Sequence, residues 1–217
     1  MIVLAIDAST YRGTVAVIRD GSVVATGETA MRGARSEGLM PAIASTLSSA
    51  RVERADVDRV ICGAGPGSFT SLRIAAGIAK GIALGSGASL YAVSSLGLTL
   101  AASSAPPGRY LVTLDALRDE WYAALYVRLP DGPVIEVRPA RLVAKDALTG
   151  LATSIDATVI GAAGGPAEPH ASGCVALADA IERSGPVDIE RWEPAYGRLA
   201  EAQVKWEAAH GPLGAER

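Results

Sequence analysis

Residues 2–8 read IVLAIDA and residues 110–116 read YLVTLDA. Each is a short, mostly apolar run that ends on an aspartate, Asp7 in one and Asp115 in the other. An apolar run of five without alternation reads as a strand covered on both faces. The segment after each run also repeats. Residues 14–28, TVAVIRDGSVVATGE, and residues 120–137, EWYAALYVRLPDGPVIEV, each break at an Asp-Gly pair. Asp-Gly between apolar runs is a hairpin signal, because both turn residues take positive φ at low cost.

Outward from these repeats the chain reads as βββαβα written twice. In the first half, Ser36–Ala50 is expected to be a helix, with Met40, Ile43 and Leu47 at helical spacing and Pro41 near its start. A strand (Val60–Ala64), a helix (Ser68–Leu84), a strand (Leu90–Val93) and a short helix from Ser95 come next. Pro106-Pro107-Gly108 reads as a linker. In the second half a helix (Lys145–Leu151), a strand (Thr158–Gly161) and a helix (Val175–Arg183) complete the pattern. The implied domains are 1–104 and a smaller 109–194, with an amphipathic helix over 195–209. Three antiparallel strands followed by crossover helices give an α/β fold of two mixed sheets with a cleft between halves. Asp7 and Asp115 then sit at the C-terminal ends of equivalent strands, where ligands of open α/β sheets bind.

Composition narrows the classes of function. A net charge of −3 over 217 residues gives no independent grip on nucleic acid, whose affinity comes mainly from neutralised phosphates. MIVLAIDAST lacks the basic start and long apolar core of a secretory leader, and the longest apolar region, Leu72–Leu84, carries Arg73 and Lys80. A cytoplasmic protein with no membrane contact is expected. Cys62 and Cys174 are expected to be buried thiols, and His170 and His210 join no cluster with metal-ligand spacing.

The twice-written layout resembles the actin-like ATPase superfamily, with its ribonuclease H-like fold. There the two equivalent aspartates face nucleotide phosphates and metal, so an ATP-dependent small-molecule kinase is the alternative reading. The flanking residues argue against it. Phosphate loops of that superfamily follow the aspartate with glycine, which lets backbone N–H groups approach. Here Ala8, Ser9, Thr10, Tyr11 and Arg12 precede Gly13, while Asp115 runs into Ala116, Leu117, Arg118, Asp119 and Glu120. Ser9 and Thr10 either donate to an anion or finish a turn. GAGPGSFTSLRIA, residues 63–75, is neither a P-loop nor a dinucleotide fingerprint. Gly67 and Ser68 open a helix where either an anion or a plain strand-to-helix turn fits, and Ser68 or Thr70 is expected to cap it. Asp7, Ser9, Thr10, Gly67, Ser68 and Asp115 thus form a vestigial nucleotide or anion site, with no catalytic residue and no metal. A peptidase is a third reading, with no assignable Ser or Cys partner for either histidine.

The helix after that loop has two apolar stripes. Phe69, Leu72, Ala76, Ala79 and Ala83 form one; Ile74, Ile78 and Ile82 form the other. Gly77, Gly81 and Gly85 recur every fourth residue. Each interior glycine costs about 1 kcal/mol against alanine, and close packing of another backbone would offset that. With the preceding helix, where Leu39 lies beside Met40, this one is expected to form an apolar patch covered by a second protein.

LAIDAST, GPGSFTSLRIA followed by AKGIALG, LDALRDEWYAALY and EPAYGRLAEAQVKW together resemble the TsaB (YeaZ) family of bacterial proteins, in order across nearly the whole chain. The resemblance implies a non-catalytic subunit in the synthesis of threonylcarbamoyladenosine, the base beside the anticodon of certain tRNAs. It implies pairing with a catalytic actin-like paralogue through the two N-terminal helices, self-association by the same surface when alone, and a small P-loop ATPase in the complex. It implies no cofactor of the chain's own, ATP or ADP only at the joint interface, and tRNA contact only indirectly. Carried onto this sequence, the pairing surface includes Leu39, Ile43, Leu47, Leu72, Arg73, Ala76 and Lys80. Family members fold the last helix back onto the first domain. The chain departs from the family near Ser36, often histidine there, and at Ser71 and Ala75, usually glycine.

Overall fold

In the computed structural model, which describes residues 1–33 and 38–197, the two aspartate-ended runs are the pivots of two sheets. The first run is β1 (Ile2–Asp7), flanked by β2 (Arg12–Arg19), β3 (Ser22–Ala30), β4 (Arg59–Gly63) and β5 (Ser89–Val93) in the order β3-β2-β1-β4-β5. The second is β6 (Gly108–Asp115), with β7 (Glu120–Arg128), β8 (Val134–Ala144) and β9 (Thr158–Gly161) in the order β8-β7-β6-β9. The β1–β2–β3 and β6–β7–β8 pairs are antiparallel; β4 joins β1, and β9 joins β6, in parallel. This is the mixed-sheet, actin-like arrangement expected, with the second half ending one strand earlier. Asp20 (φ 49°) and Gly21 (φ 79°) make the tight β2–β3 turn, as the Asp-Gly signal predicts.

Alternation within the strands sorts the core into layers. Leu4, Ile6, Val15 and Val17 face α1 (Leu39–Ser49) and α2 (Phe69–Ser86). Val3, Ala5, Ala16 and Ile18 point the other way, onto a cluster that holds Leu96, Leu98 and Leu100 of α3 (Ser95–Ala101). Tyr110, Val112, Leu114 and Tyr126 reach that same cluster from the second sheet. Leu111, Ala123 and Val143 face outward, under α4 (Leu148–Ser154). The order is therefore α1 and α2, first sheet, α3 with residues 171–184, second sheet, α4. Each buried leucine of α3 stabilises by about 1.5–3 kcal/mol against exposure.

Boundaries shift by a few residues. The expected start of the first helix at Ser36 lies outside the described residues; α1 is helical from Leu39. Residues 171–177 are a 3-10 segment and only Ala178–Ser184 is α-helix (α5), where one helix over Val175–Arg183 was expected. The expected last helix begins too early: Ala195–Gly197 is irregular, and its remainder lies outside the described residues. Among the described residues no helix is long and apolar enough to cross a membrane.

Candidate functional site: the cleft and the outer helix face

The sheets leave a cleft of about 550 Å³ at the C-terminal ends of β1 and β6, where Ser9, Ser68, Phe69, Asp115, Glu168 and Tyr196 are among the lining residues. Asp7 is not among them. It is fully buried, and both carboxylate oxygens are occupied from within. Oδ1 accepts from the Ser9 N–H at 2.9 Å and the Ser9 hydroxyl at 2.8 Å; Oδ2 accepts from the Ser95 hydroxyl at 2.5 Å. Ser95 Oγ accepts in turn from the Gly65 N–H at 3.1 Å. Burial raises the Asp7 pKa above the ordinary carboxylate range, against the opposing pull of these hydrogen bonds. Asp7 is a clip that ties β1 to the β4–α2 loop and to α3, so its expected place in an anion site is corrected.

The glycine-rich loop serves that clip. A Cβ on Gly63 would lie 1.9 Å from Asp7 Oδ2, and one on Gly67 would lie 2.1 Å from the Ser9 carbonyl oxygen. The Ser68 N–H donates to that same oxygen at 2.7 Å. Gly63 makes room for the Asp7 side chain and Gly67 for the Ser9 backbone. Ser68 occupies the N-cap position, yet its hydroxyl meets Ser71 Oγ at 3.0 Å and caps no backbone N–H, and Thr70 is already inside the helix. The Thr10 hydroxyl closes its own turn by accepting from the Arg12 N–H at 3.2 Å, so the turn alternative holds there.

Asp115 is also engaged, though exposed. Its Oδ1 accepts from the Leu117 N–H at 3.0 Å and lies 3.7 Å from Lys145 Nζ. That ammonium stands 4.6 Å from the Trp121 ring centroid. Leu117, Arg118 and Asp119 all have positive φ with no glycine among them, a left-handed turn directly after the cleft-lining Asp115. Among the described residues no group of three or more His, Cys, Asp or Glu is placed to hold a metal ion.

Sequence reasoning missed several residues here. Ser95, the clip's far end, is 88 positions from Asp7 and carries no local signature. Residues 192–197 cross between the halves: the Ala195 N–H donates to the Ala64 carbonyl at 2.8 Å, the rings of Tyr196 and Phe69 are 4.6 Å apart, and Tyr122 donates to the Tyr196 carbonyl at 3.3 Å. Arg12 bridges Glu28 and Glu168, at 3.2 Å to each, and His170 Nε2 lies 3.5 Å from Glu28. His170 does have a serine partner, against expectation: Ser172 Oγ is 2.7 Å from Nδ1. The Ser172 N–H donates to the same Nδ1 at 3.1 Å, so the contact caps the 3-10 segment and leaves that nitrogen no free lone pair for a base. Burial lowers the His170 pKa. Cys62 and Cys174 are both buried, as expected, and burial raises both thiol pKa values.

The model of the family TsaD, tRNA N6-adenosine threonylcarbamoyltransferase, matches residues 29–139. The tRNA threonylcarbamoyladenosine biosynthesis protein TsaB of Bacillus subtilis is 30% identical, over 95% of this chain and 98% of its own length. The chain belongs to the TsaB (YeaZ) family. TsaB of Escherichia coli is 36% identical over 61% of this chain and 58% of its own. The solved structure of YeaZ from Pseudomonas aeruginosa superposes with a TM-score of 0.73 at 26% identity, over 90% of this chain and 99% of that one. Membership ties the chain to tRNA threonylcarbamoyladenosine biosynthesis, the process for which these TsaB relatives are named.

The residues carried over for TsaB-type pairing divide sharply. Leu39, Ile43, Leu47, Leu72 and Ala76 are all buried within this chain, Ala76 at 5% exposure, and Leu39, Ile43 and Leu47 seat α1 on the first sheet. Arg73 and Lys80 lie on the outer side of α2, their charges against the rings of Phe69 (5.3 Å) and Trp192 (5.9 Å). The glycine row continues from Arg73 along α2, beside Lys80. Gly77, Gly81 and Gly85 have open space where a side chain would project, and Leu84 is 69% exposed. α1 does not pack against this row. On α1, Met40, Ala44 and Ser48 are exposed. Of the family departures, Ser71 and Ala75 are buried against the chain's own core, while Ser36 lies outside the described residues.

Proposed function

We propose that this chain is the non-catalytic partner subunit of the assembly that makes N6-threonylcarbamoyladenosine at position 37 of tRNA. It binds and activates a catalytic actin-like paralogue; a small P-loop ATPase joins the assembly, and tRNA contacts the chain only indirectly. Nucleotide binds only at the joint interface. One observation carries this reading: the carboxylate at the catalytic position of the fold is sealed inside the protein by Ser9 and Ser95, while α2 turns a glycine-flat row and an exposed Leu84 to solvent. A flat row lets a partner helix approach closely, as small residues every fourth position do between helices elsewhere. The pairing surface is therefore the outer row, Arg73, Gly77, Lys80, Gly81 and Leu84 with Met40, and not the buried leucines. Without the paralogue the same row supports a homodimer.

The test mixes the chain with the catalytic paralogue of the same cell and measures complex formation by sedimentation, alongside modified-nucleoside yield on tRNA. Gly81→Arg is the variant, since Gly81 has open space around it and the substitution leaves the core intact. Loss of the complex and of modified nucleoside, with an unchanged circular dichroism spectrum, is expected. Assembly and yield equal to the parent chain would overturn the reading, as would ATP turnover by the chain alone, the result a small-molecule kinase requires.

A further inference from the structure

The opposite outer layer of the fold carries a second surface. α4 has only seven residues and roofs part of the second sheet's outer face. Beside it lies a pit of about 280 Å³ lined by Leu111 and Leu125 of the sheet, Leu151 of α4 with Ile155 just after it, and Arg138 and Arg141 of β8. In a regular strand residues three apart point to opposite faces. Here Arg138 pairs with Leu125 and Arg141 with Ala123, and Ala123 and Leu125 share a face because they are two apart on β7. The irregularity in register between them makes up the odd residue, so both guanidinium groups come to the same side. Both arginines are exposed, and neither belongs to any ion pair among the described residues.

The pit's chemistry selects its occupant. Two unpaired guanidinium forks match carboxylates, which they bind bidentately. The pit is apolar at its floor and, at about 280 Å³, smaller than the pockets that hold cofactors, so it suits a side-chain anchor. No aromatic ring lines it, so it lacks the stacking platform on which single-stranded nucleic acid depends. Pro139, between the two arginines, has no N–H to offer an added strand, so the edge of β8 does not recruit a partner by strand pairing at this point. We propose that this face binds an acidic protein segment that inserts one apolar side chain between Arg138 and Arg141. The two guanidinium groups hold carboxylates on either side of that anchor. The surface is separate from the α1–α2 row, so both can be engaged at once.

Three synthetic peptides test this on the isotopically labelled full chain by NMR titration: acetyl-EDLED-amide, its uncharged analogue acetyl-QNLQN-amide and the anchor-less acetyl-EDAED-amide. Saturable shifts are expected at the amides of residues 138–141 and the methyls of Leu125, Leu151 and Ile155. The first peptide is expected to bind at least about fivefold tighter than either of the others. An Arg138→Gln, Arg141→Gln variant, whose exposed changes spare the core, is expected to reduce the first peptide to the level of the uncharged one. Equal binding of charged and uncharged peptides, or no clustered shifts with any peptide, overturns the proposal. So does decauridylate moving these resonances when the peptides do not, an outcome that assigns the face to nucleic acid.

Discussion

Asp7→Asn separates a structural carboxylate from a catalytic one, and its effect on stability has a calculable pH dependence. Asp7 is fully buried and its folded pKa is raised above the ordinary value of 3.8, chiefly by desolvation. Between 3.8 and that raised value the folded chain holds a proton that the unfolded chain has lost. Stability contributed by Asp7 is therefore full below 3.8, falls as pH rises through this window, and is flat above it. Asparagine carries no such proton. It keeps an oxygen to accept both Ser9 bonds, and its NH₂ faces Ser95 Oγ. The stability of Asp7→Asn relative to the parent chain should climb with pH across the window, by about 1.4 kcal/mol for each unit of pKa elevation. Asp7→Ala, which also lacks the proton, should show the same slope but lie below Asp7→Asn at every pH. It strands the Ser9 N–H and hydroxyl and the Ser95 hydroxyl, at about 1–3 kcal/mol for each donor left without an acceptor. Urea unfolding followed by tryptophan fluorescence at several pH values from 4.5 to 8 gives the difference directly, because every other titrating group is common to both proteins. Parallel curves for Asp7→Asn and the parent chain would mean that Asp7 ionises like a solvated carboxylate. That result would refute the clip, as would an Asp7→Ala chain as stable as Asp7→Asn.

Three other substitutions have defined outcomes. Gly67→Ala forces a Cβ against the Ser9 carbonyl at 2.1 Å, backbone that cannot swing aside, and should lower Tm by roughly 4–10 °C by calorimetry. Gly77→Ala, with open space around it, should instead raise stability by about 1 kcal/mol. Asp115→Asn removes only an exposed contact to Lys145 and should change stability by less than about 1 kcal/mol in the same urea assay.

The two Asp-ended strands, the Asp-Gly hairpin and the extent of α2 were legible because each rests on local chemistry: uninterrupted apolar runs, a turn dipeptide, helical spacing. The direction in which Leu39, Ile43 and Leu47 face was not. A stripe at helical spacing reads the same whether it meets the chain's own sheet or a partner, and here the sheet takes it. The glycine row was visible, but its open surroundings depend on where α1 settles, which α1's contacts with β2 and β3 decide. The Asp7–Ser95 bond joins residues 88 apart, and no pattern in either neighbourhood announces it. Arg138 and Arg141 read as opposite-facing in an ordinary strand; only the register irregularity in the folded sheet brings them together.

The burial of α3 between the sheets has a mechanical meaning. In two-lobed nucleotide machines the halves rock about a joint, and that rocking is the work. Here the joint is packed shut. Prying the halves apart far enough to wet Leu96, Leu98 and Leu100 would cost about 5–9 kcal/mol, beyond what thermal agitation supplies often. The core that α3 shares with both sheets thus fastens the two halves to each other.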